Sequence, residues 1–286
     1  EKVATCIKQL TPEMNLEKEG CYEAPRFLSD SEEVKQACDK MNEYCKARIT
    51  YNMDVPVVID QNVISTWLSV DENMNVIVDE NGIRGWLEQF GEQYDTTGKT
   101  RTFTTPTGKN ASVSGGTYGW SINEDSEFQT ILNALNNKEV IEKEPEYYVS
   151  GVAASHSMPD WGDTYAEVDL SAQHMWYVVG GSVALETDVV TGEPIPEKVT
   201  PEGVYSIVEK KLDKVLVGAK DPVTGKPEYE TPVSYWMRIT WQGVGFHDAT
   251  WQSNFGGSLN QITGIGSHGC VNMPLNKAAE LYNMIE

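Results

Sequence analysis

Near its C-terminal end the chain reads Ile265-Gly266-Ser267-His268-Gly269-Cys270-Val271-Asn272, and this motif carries the strongest chemical signal in the sequence. A cysteine flanked by glycine, histidine and a hydroxyl is typical of a nucleophilic thiol. The upstream His247 could remove the thiol proton, and the backbone amides of Gly269 and Cys270 could converge on a developing oxyanion. The motif therefore predicts a cysteine nucleophile at position 270.

The composition indicates a globular chain with more than one domain. The chain has 286 residues, 40% of them hydrophobic, which is enough to bury a core in two domains and part of a third. Its net charge of −21 is spread along the chain and argues against nucleic acid or an anionic membrane as partner. No apolar run approaches the roughly 18 residues of a membrane span, and Glu1 opens no basic, apolar leader. We therefore expect any signal or anchor to lie outside this sequence.

Four of the five cysteines, Cys6, Cys21, Cys38 and Cys45, lie in the first 45 residues. Cys38 and Cys45 share one face of a predicted helix and stand about 10 Å apart along its axis. This exceeds the roughly 7 Å limit for a disulfide, so two of three connectivities remain. Paired cysteines would indicate an oxidising, extracytoplasmic location, and buried thiols in a cytosolic protein are the alternative.

The first half of the chain predicts an α+β arrangement. A capping box, Ser29 with Glu32 or Asp30 with Glu33, begins the cysteine-bearing helix. Apolar spacing and capping residues predict further helices, and alternating runs predict strands. The expected helices lie at 34–45, 83–94 and after 123, and the expected strands at 76–78 and 101–105. A polar segment from 139 to 163 is expected to connect two domains over the surface.

The second half predicts a mainly β domain. Short apolar runs punctuated by Gly180-Gly181 and Thr191-Gly192 are typical of hairpins. The expected strands include 204–208, 215–217 and 235–241, with a projecting turn at 221–225. One helix begins near Asn276, so Cys270 sits in the loop before it. The predicted fold class is multidomain α+β, with a mainly β domain over 161–286 after an α+β domain over 51–160.

The C-terminal half resembles the L,D-transpeptidase (YkuD-type) catalytic domain. His247 and the block Ser267-His268-Gly269-Cys270-Val271-Asn272 fit that family's pattern of a histidine, a variable gap and a Ser/Thr-His-Gly-Cys-hydrophobic-Asn block. Supporting segments follow in family order: Thr191-Gly192, Thr200-Pro201-Glu202-Gly203, Tyr235-Trp236-Met237, Gly245-Phe246-His247-Asp248, Trp251 and Gly256-Gly257. The family's closing Gly-x-Pro-Val strand does not follow the last helix, so we expect a shortened sequence or an open sheet edge.

The first half is similar to the domain that precedes this catalytic unit in some Gram-positive members. The similarity lies in Tyr94-Asp95-Thr96, in Gly115-Gly116-Thr117-Tyr118-Gly119-Trp120 and in residues 142–148. It implies a peptidoglycan-binding or spacer domain over 51–160. Residues 1–50 are interpreted as a cysteine-rich helical remnant of an earlier copy of that domain.

The resemblance implies peptidoglycan chemistry without a metal or other cofactor. Cys270 would attack a tetrapeptide stem, release D-alanine through a thioester and transfer the acyl group to an amine of a neighbouring stem, which makes a 3-3 cross-link. Water as acceptor would make the protein an L,D-carboxypeptidase. Carbapenem-type β-lactams would be covalent inhibitors. The full-length protein would be extracytoplasmic, in the cell wall or anchored to the membrane.

Two neighbours of the thiol are assigned supporting roles. His268 is expected to orient the loop or to tune the thiolate, and Ser267 to support a histidine through its hydroxyl, with an ordinary turn serine as the alternative. Asp248 follows His247, but this position varies in the family and is not assigned as a third catalytic member.

Further residues are assigned to substrate binding: Asn272, Trp251, Tyr235 and Trp236. An asparagine near a proline can instead hold a turn, and aromatic residues of β domains often belong to the core. His156 and His174 lie outside the motifs and receive no role.

Other kinds of protein fit less well. A zinc site built from His247, His268 and Cys270 would lack a fourth ligand and the usual spacings. A papain-like peptidase has its cysteine before its histidine, which is the reverse of the order here. A non-catalytic wall-binding protein would not need the intact motif.

Overall fold

The computed structural model describes residues 2–10, 13–18, 20, 25–148 and 158–285. Its helices are α1 (Lys2–Lys8), α2 (Glu32–Tyr44), α3 (Gln61–Ile64), α4 (Glu80–Tyr94), α5 (Glu124–Asn137) and α6 (Leu275–Met284). Its strands are β1 (Arg48–Tyr51), β2 (Val57–Ile59), β3 (Leu68–Val70), β4 (Val76–Val78), β5 (Arg101–Thr104), β6 (Asn110–Val113), β7 (Val140–Lys143), β8 (Tyr165–Asp169), β9 (His174–Val179), β10 (Ser182–Asp188), β11 (Glu209–Val217), β12 (Glu230–Arg238), β13 (Gly245–Asp248) and β14 (Val271–Met273).

The chain forms two compact units, each made of separate segments. The first unit comprises Glu1–Asn52, Pro56–Leu87 and Asp125–Glu144, and the second comprises Met53–Val55, Glu88–Glu124 and Pro145–Glu286. An α+β region is thus followed by a mainly β region, which confirms the predicted fold class. The domain boundaries expected at residues 50 and 160 stay predictions.

The first unit is built on a small mixed sheet of order β2-β1-β7. Alternation along β1 buries Ile49 and Tyr51 on one face. The Tyr51 hydroxyl donates to the carboxylate of Glu127 at 2.7 Å, and the Lys143 ammonium lies 2.9 Å from the same carboxylate. These two contacts compensate the buried carboxylate of Glu127, which has no exposed surface.

The second unit contains the sheets that carry the predicted site. β8, β9 and β10 form an antiparallel meander, and β11, β12, β13 and β14 form a four-stranded sheet in that order. β13 runs antiparallel to β12 and parallel to β14. The core beneath them includes Met237, Phe246, Val271 and Met273, and α6 covers it with Ala278 and Leu281.

Most element predictions are confirmed, with two corrections. The strand at 76–78 and the helices α2, α4, α5 and α6 lie where expected. The predicted capping box is wrong, because the N-cap of α2 is Ser31, which makes no side-chain cap bond and instead accepts from the Leu28 amide. The expected strand at 204–208 is also wrong. Only Val204 forms an isolated bridge, with Gly116, so no ladder extends along this segment.

The described cysteines are all unpaired. Cys6, Cys38, Cys45 and Cys270 are free thiols, and Cys21 lies outside the described residues. Both connectivities left open by the sequence join Cys6 to Cys38 or Cys45. Neither is formed in this structure, so the cysteine cluster gives no support to an oxidising location.

Candidate active site

His247 is held in a strand near the middle of the four-stranded sheet. Its register partners are Trp236 on β12 and Asn272 on β14. Because side chains alternate along a strand, Phe246 faces the core and His247 faces the opposite side of the sheet. His247 is only 3% exposed. The sheet therefore fixes the position of the imidazole.

Cys270 lies at the start of the same strand pair. Val271 is the register partner of Phe246, so Cys270 comes beside Gly245. The Gly245 amide donates to the cysteine sulfur, which also lies 3.6 Å from the carbonyl oxygen of Gly243. Gly245 and His247 share one face of β13, about 7 Å apart along the strand. The thiol and the imidazole thus lie on the same side of the sheet.

The protonation of His247 follows from the hydrogen bond of its Nδ1. This nitrogen lies 2.9 Å from the backbone carbonyl oxygen of Asp248. A carbonyl oxygen can only accept, so Nδ1 carries the hydrogen and Nε2 of the neutral ring keeps a lone pair. Burial lowers the pKa of His247, which favours this neutral form. In this form Nε2 is the ring nitrogen that could accept a proton.

The carboxylate of Asp248 serves a different purpose. Its Oδ1 accepts from the Tyr235 amide at 2.8 Å, and the residue is buried. The side chain therefore ties β13 to β12. Asp248 acts on His247 through its main-chain carbonyl, a contribution that any residue type could make and that no sequence motif reveals.

Two tryptophans flank the imidazole. The ring centroids of Trp236 and Trp251 lie 6.0 Å and 5.9 Å from that of His247. Trp236 is 2% exposed and its indole N–H donates to Glu209 at 2.9 Å. It supports the histidine and is too buried to line a substrate groove, contrary to expectation. Trp251 is 53% exposed and keeps a face open to solvent beside His247.

Tyr235 does not join the site, contrary to the expectation that it lines the groove. It precedes Trp236 in β12, so alternation turns it toward the core side of the sheet. There its ring packs against Tyr282 of α6 at a centroid distance of 5.5 Å. Its role is packing.

The environment of the thiol favours its neutral form. Burial raises the pKa of Cys270 to about 11, and the hydrogen bond from the Gly245 amide offsets only part of this effect. With His247 also neutral, the resting pair is a thiol and an imidazole and not a thiolate and an imidazolium.

Ser267 organises the loop around the nucleophile. Its hydroxyl donates to the Cys270 carbonyl at 2.6 Å and accepts from the Gly269 amide at 3.0 Å. The Gly269 amide is therefore engaged inside the loop, which corrects its assignment as an oxyanion donor. Of the two predicted oxyanion donors, only the Cys270 amide is not bonded to the Ser267 hydroxyl. Ser267 supports the loop and not a histidine, which corrects a second expectation.

Thr200 fixes the other side of the loop. Its hydroxyl donates to the Gly269 carbonyl at 2.8 Å and accepts from the Gly192 amide at 2.9 Å. A side chain at Gly192 would collide with the Lys198 carbonyl oxygen, 1.9 Å from the ideal Cβ position. The Thr-Gly and Thr-Pro-Glu-Gly segments of the sequence therefore meet at the nucleophile loop.

His268 points away from this network. Its Nε2 lies 3.1 Å from the carboxylate of Glu228, its ring packs against Tyr229 at 5.1 Å, and its side chain is 36% exposed. Glu228 and Tyr229 carry no signal in the sequence, because only the fold of the β11–β12 hairpin brings them near the motif. Burial raises the pKa of Tyr229, and a thiolate at Cys270 would raise it further, because the two side chains lie near each other.

Asn272 is held in a fixed orientation by its neighbours. Gln252 donates from Nε2 to the Ile265 carbonyl at 3.1 Å, so its Oε1 is left to accept from Asn272 Nδ2 at 2.7 Å. Asn272 Oδ1 is then a buried acceptor with no partner among the described residues. Such an acceptor next to His247 in the sheet register is a candidate contact for a donor.

Comparisons with known proteins match both parts of the chain. Residues 163–286 match the L,D-transpeptidase catalytic domain family (YkuD), and residues 28–142 match a peptidoglycan binding domain family. The Ldtfm–avibactam carbamoyl enzyme is 35% identical with a TM-score of 0.66, and the match covers 88% of this chain and 95% of that one. The chain belongs to the L,D-transpeptidase family.

Further L,D-transpeptidases show the same relationship. A cysteine-to-serine mutant of the Enterococcus faecium L,D-transpeptidase is 34% identical with a TM-score of 0.65, over 88% of this chain and 96% of that one. L,D-transpeptidase 1 of Mycobacterium tuberculosis is 30% identical over 94 residues, which are 32% of this chain and 35% of that protein. The chain thus matches about a third of the length of this curated relative. The predicted resemblance is confirmed for both domains.

Outside the loop of Cys270, the described residues show few other candidate groups. Within the described ranges, no three His, Cys, Asp or Glu side chains are arranged to hold a metal ion. None of the described helices has the length and apolar character that crossing a membrane requires. His174 on β9 pairs with Asp188 at 2.7 Å, and His156 lies outside the described residues.

Proposed function

We propose that the protein is a cysteine-dependent peptidoglycan L,D-transpeptidase that forms 3-3 cross-links. The donor is a tetrapeptide stem, and Cys270 attacks the carbonyl carbon of its third residue. The observation that carries this proposal is the orientation of the His247 ring. Nδ1 donates to the Asp248 carbonyl, which leaves Nε2 as a proton acceptor. The ring lies on the same face of the sheet as Cys270. Family membership supplies the class of substrate.

The first half-reaction forms a thioester. As the Cys270 sulfur bonds to the carbonyl carbon, its proton passes to Nε2 of His247 and the carbonyl oxygen becomes an oxyanion. The Cys270 amide is the proposed donor to that oxyanion, because the Gly269 amide is bound to Ser267. The C–N bond then breaks, the imidazolium returns the proton to the nitrogen, and D-alanine leaves as the free amine.

The second half-reaction transfers the acyl group. An amine of a neighbouring stem attacks the thioester carbon and loses a proton to His247, and the C–S bond breaks to release the thiol after that proton returns. Water in place of the amine would release a tripeptide stem, which is L,D-carboxypeptidase activity. Trp251 is the proposed substrate contact, because it offers an exposed indole beside His247. Asn272 is 3% exposed and thus as buried as Trp236, so we propose that it positions β14 and does not touch the substrate.

The substrate class also points to where the protein works. Residues 28–142 match a peptidoglycan binding domain family, so we propose that this region places the catalytic sheet on the wall outside the cytoplasm. Retention of the protein on purified wall sacculi, compared with a protein of similar net charge, measures this binding. Absence of retention above that control would contradict a wall-binding role.

The activity is tested with a carbapenem and with a defined tetrapeptide stem. The strained carbonyl of a carbapenem should acylate Cys270 and open the lactam ring, so the protein gains the full mass of the drug. Cys270→Ala should gain none, and Cys38→Ala, which removes an exposed thiol, should behave as the parent protein. An unchanged mass of the parent protein would refute the proposal.

The products separate the two acceptors. Mass spectrometry after incubation with the tetrapeptide should show a cross-linked dimer that has lost one D-alanine. A tripeptide stem as the sole product would show that water is the acceptor. No loss of D-alanine, together with no carbapenem adduct, would leave only a non-catalytic role.

A further inference from the structure

We propose that the loop of residues 115–120, here called the brace loop, positions the nucleophile of Cys270 through Val204 and Thr200. The brace loop lies within the match to the peptidoglycan binding domain family and outside the matched catalytic domain. It nevertheless belongs to the same compact unit as the catalytic sheet. The inference rests on the proposed function, since it concerns the reactivity of the same thiol.

The first link joins the brace loop to Val204. The Tyr118 amide donates to the Val204 carbonyl at 2.9 Å, and the Val204 amide donates to the Gly115 carbonyl at 3.2 Å. These two bonds form the parallel bridge between Gly116 and Val204. Because both its amide and its carbonyl are bonded to the brace loop, Val204 can neither slide along that loop nor move away from it without breaking a hydrogen bond.

The approach of the two backbones requires glycine on both sides. An ideal Cβ at Gly116 would lie 2.0 Å from the Val204 carbonyl oxygen, and one at Gly203 would lie 2.5 Å from the Gly116 amide nitrogen. Both glycines also have positive φ angles, of +83° and +143°. The contact is therefore close-packed, and a single methyl group would separate the two segments.

The second link runs from Val204 to the nucleophile loop. Only the residues Pro201-Glu202-Gly203 separate Val204 from Thr200, whose hydroxyl holds the Gly269 carbonyl at 2.8 Å. Gly269 is bonded directly to Cys270. A shift of residues 200–204 therefore moves the peptide unit that precedes the sulfur, while His247 stays fixed in β13.

The brace loop is itself anchored by a buried ion pair. Arg101 and Asp160 have no exposed side-chain surface, and they pair through Nε at 2.6 Å and Nη2 at 2.9 Å. Arg101 Nη2 also donates to the Tyr118 carbonyl at 3.0 Å, and the Tyr118 hydroxyl donates to the Asp160 carbonyl at 3.2 Å. The loop thus has a rigid support from which to hold Val204.

Gly116→Ala tests the proposal with Gly108→Ala as its matched control. Both positions have similar φ angles, +83° and +79°, but a Cβ at Gly108 meets nothing within 4 Å. The two variants therefore share the backbone strain and differ in the collision with Val204. Stopped-flow acylation by a carbapenem at increasing concentration separates the noncovalent affinity from the acylation rate constant.

We expect Gly116→Ala to lower the acylation rate constant about tenfold or more, because displacements near 1 Å can cost about a hundredfold. The affinity should stay within about twofold, and Gly108→Ala should match the parent protein in both quantities. Equal rate constants for the Gly116→Ala and Gly108→Ala variants would overturn the proposal. So would a fall in affinity that accounts for the whole effect.

Tyr118→Phe provides a second test if Gly116→Ala does not fold. It removes the hydroxyl bond to Asp160 and should lower the rate constant about threefold, roughly the net value of one hydrogen bond. A rate constant equal to that of the parent protein would overturn the inference. Acylation of the parent protein itself reports on the proposed function, so the two failures are distinguishable.

Discussion

The two histidines of the sequence motif, His247 and His268, have opposite environments. His247 lies in the interior of a sheet, is flanked by two tryptophans and has its tautomer set by a backbone carbonyl. His268 lies in the motif itself, two positions before Cys270, yet it is partly exposed and pairs with Glu228. Closeness in sequence to the nucleophile therefore does not identify the base. The strand register places His247 on the same side of the sheet as Cys270, and its Nε2 is the nitrogen proposed to accept the thiol proton.

The comparison predicts its largest effect for His247→Gln. The glutamine amide keeps a donor for the Asp248 carbonyl but offers no basic nitrogen, so general base catalysis is lost. Acylation by a carbapenem should slow by about 10²- to 10⁴-fold at pH 7, measured by intact mass against time. A loss below about tenfold would show that another group removes the thiol proton.

The second effect concerns the pH dependence of thiol reactivity. A neutral resting pair means that few Cys270 thiolates exist at pH 7, since burial raises the pKa of this thiol to about 11. Alkylation of Cys270 by iodoacetamide should therefore rise about tenfold for each pH unit beyond pH 9 in the folded protein. In the urea-denatured protein the rate should level off near pH 9, close to the ordinary pKa of about 8.5.

Peptide-resolved mass spectrometry distinguishes Cys270 from the other thiols in this experiment. We expect the alkylation rate of Cys270 to level off at a higher pH in the folded protein than in the denatured protein. A rate in the folded protein that levels off below pH 8 would mean that the resting pair is a thiolate and an imidazolium. In that case the contrast between the two histidines would concern charge as well as position.

The third effect concerns the loop that carries Cys270. Ser267→Ala leaves the Gly269 amide and the Cys270 carbonyl without their shared partner, which should cost about 1–3 kcal/mol of unfolding free energy. Acylation should slow about tenfold as the loop loosens. Ser258→Ala is the control, because Ser258 is exposed and its side chain makes no cap bond. Equal urea midpoints for the two variants would contradict the role of Ser267.

Much of the fold could be predicted because local patterns dominate it. Val76–Val78 and the helix from Leu275 have the periodicity of their elements, and their packing agrees with it. The segment around Val204 has the composition of a strand, but the backbone bonds of Val204 itself go to Gly115 and Tyr118. A partner so distant in sequence leaves no local pattern, so the prediction of a strand there was wrong.

The residue types of the proposed site could be read from the sequence, but its contacts could not. The motif points to Cys270 and His247, whose roles stay predictions. The prediction that Tyr235 lines the groove was wrong because side chains alternate along β12, and a shift by one residue places a side chain on the other face of the sheet. The engagement of the Gly269 amide depends on the rotamer of Ser267, which no sequence pattern specifies. Main-chain contributions, such as the Asp248 carbonyl, are independent of residue type.

The smallest effect is expected for His268→Gln and Glu228→Gln. The two side chains form a partly exposed hydrogen-bonded pair, and even charged pairs at a surface contribute only about 0.2–1 kcal/mol. Each variant should therefore change the acylation rate constant less than about fivefold, which is the rate equivalent of about 1 kcal/mol. The double variant should show no additional loss, because each single change already removes the pair. A loss approaching that of His247→Gln would mean that the exposed imidazole takes part in proton transfer, and the contrast between a buried base and a peripheral histidine would then fail.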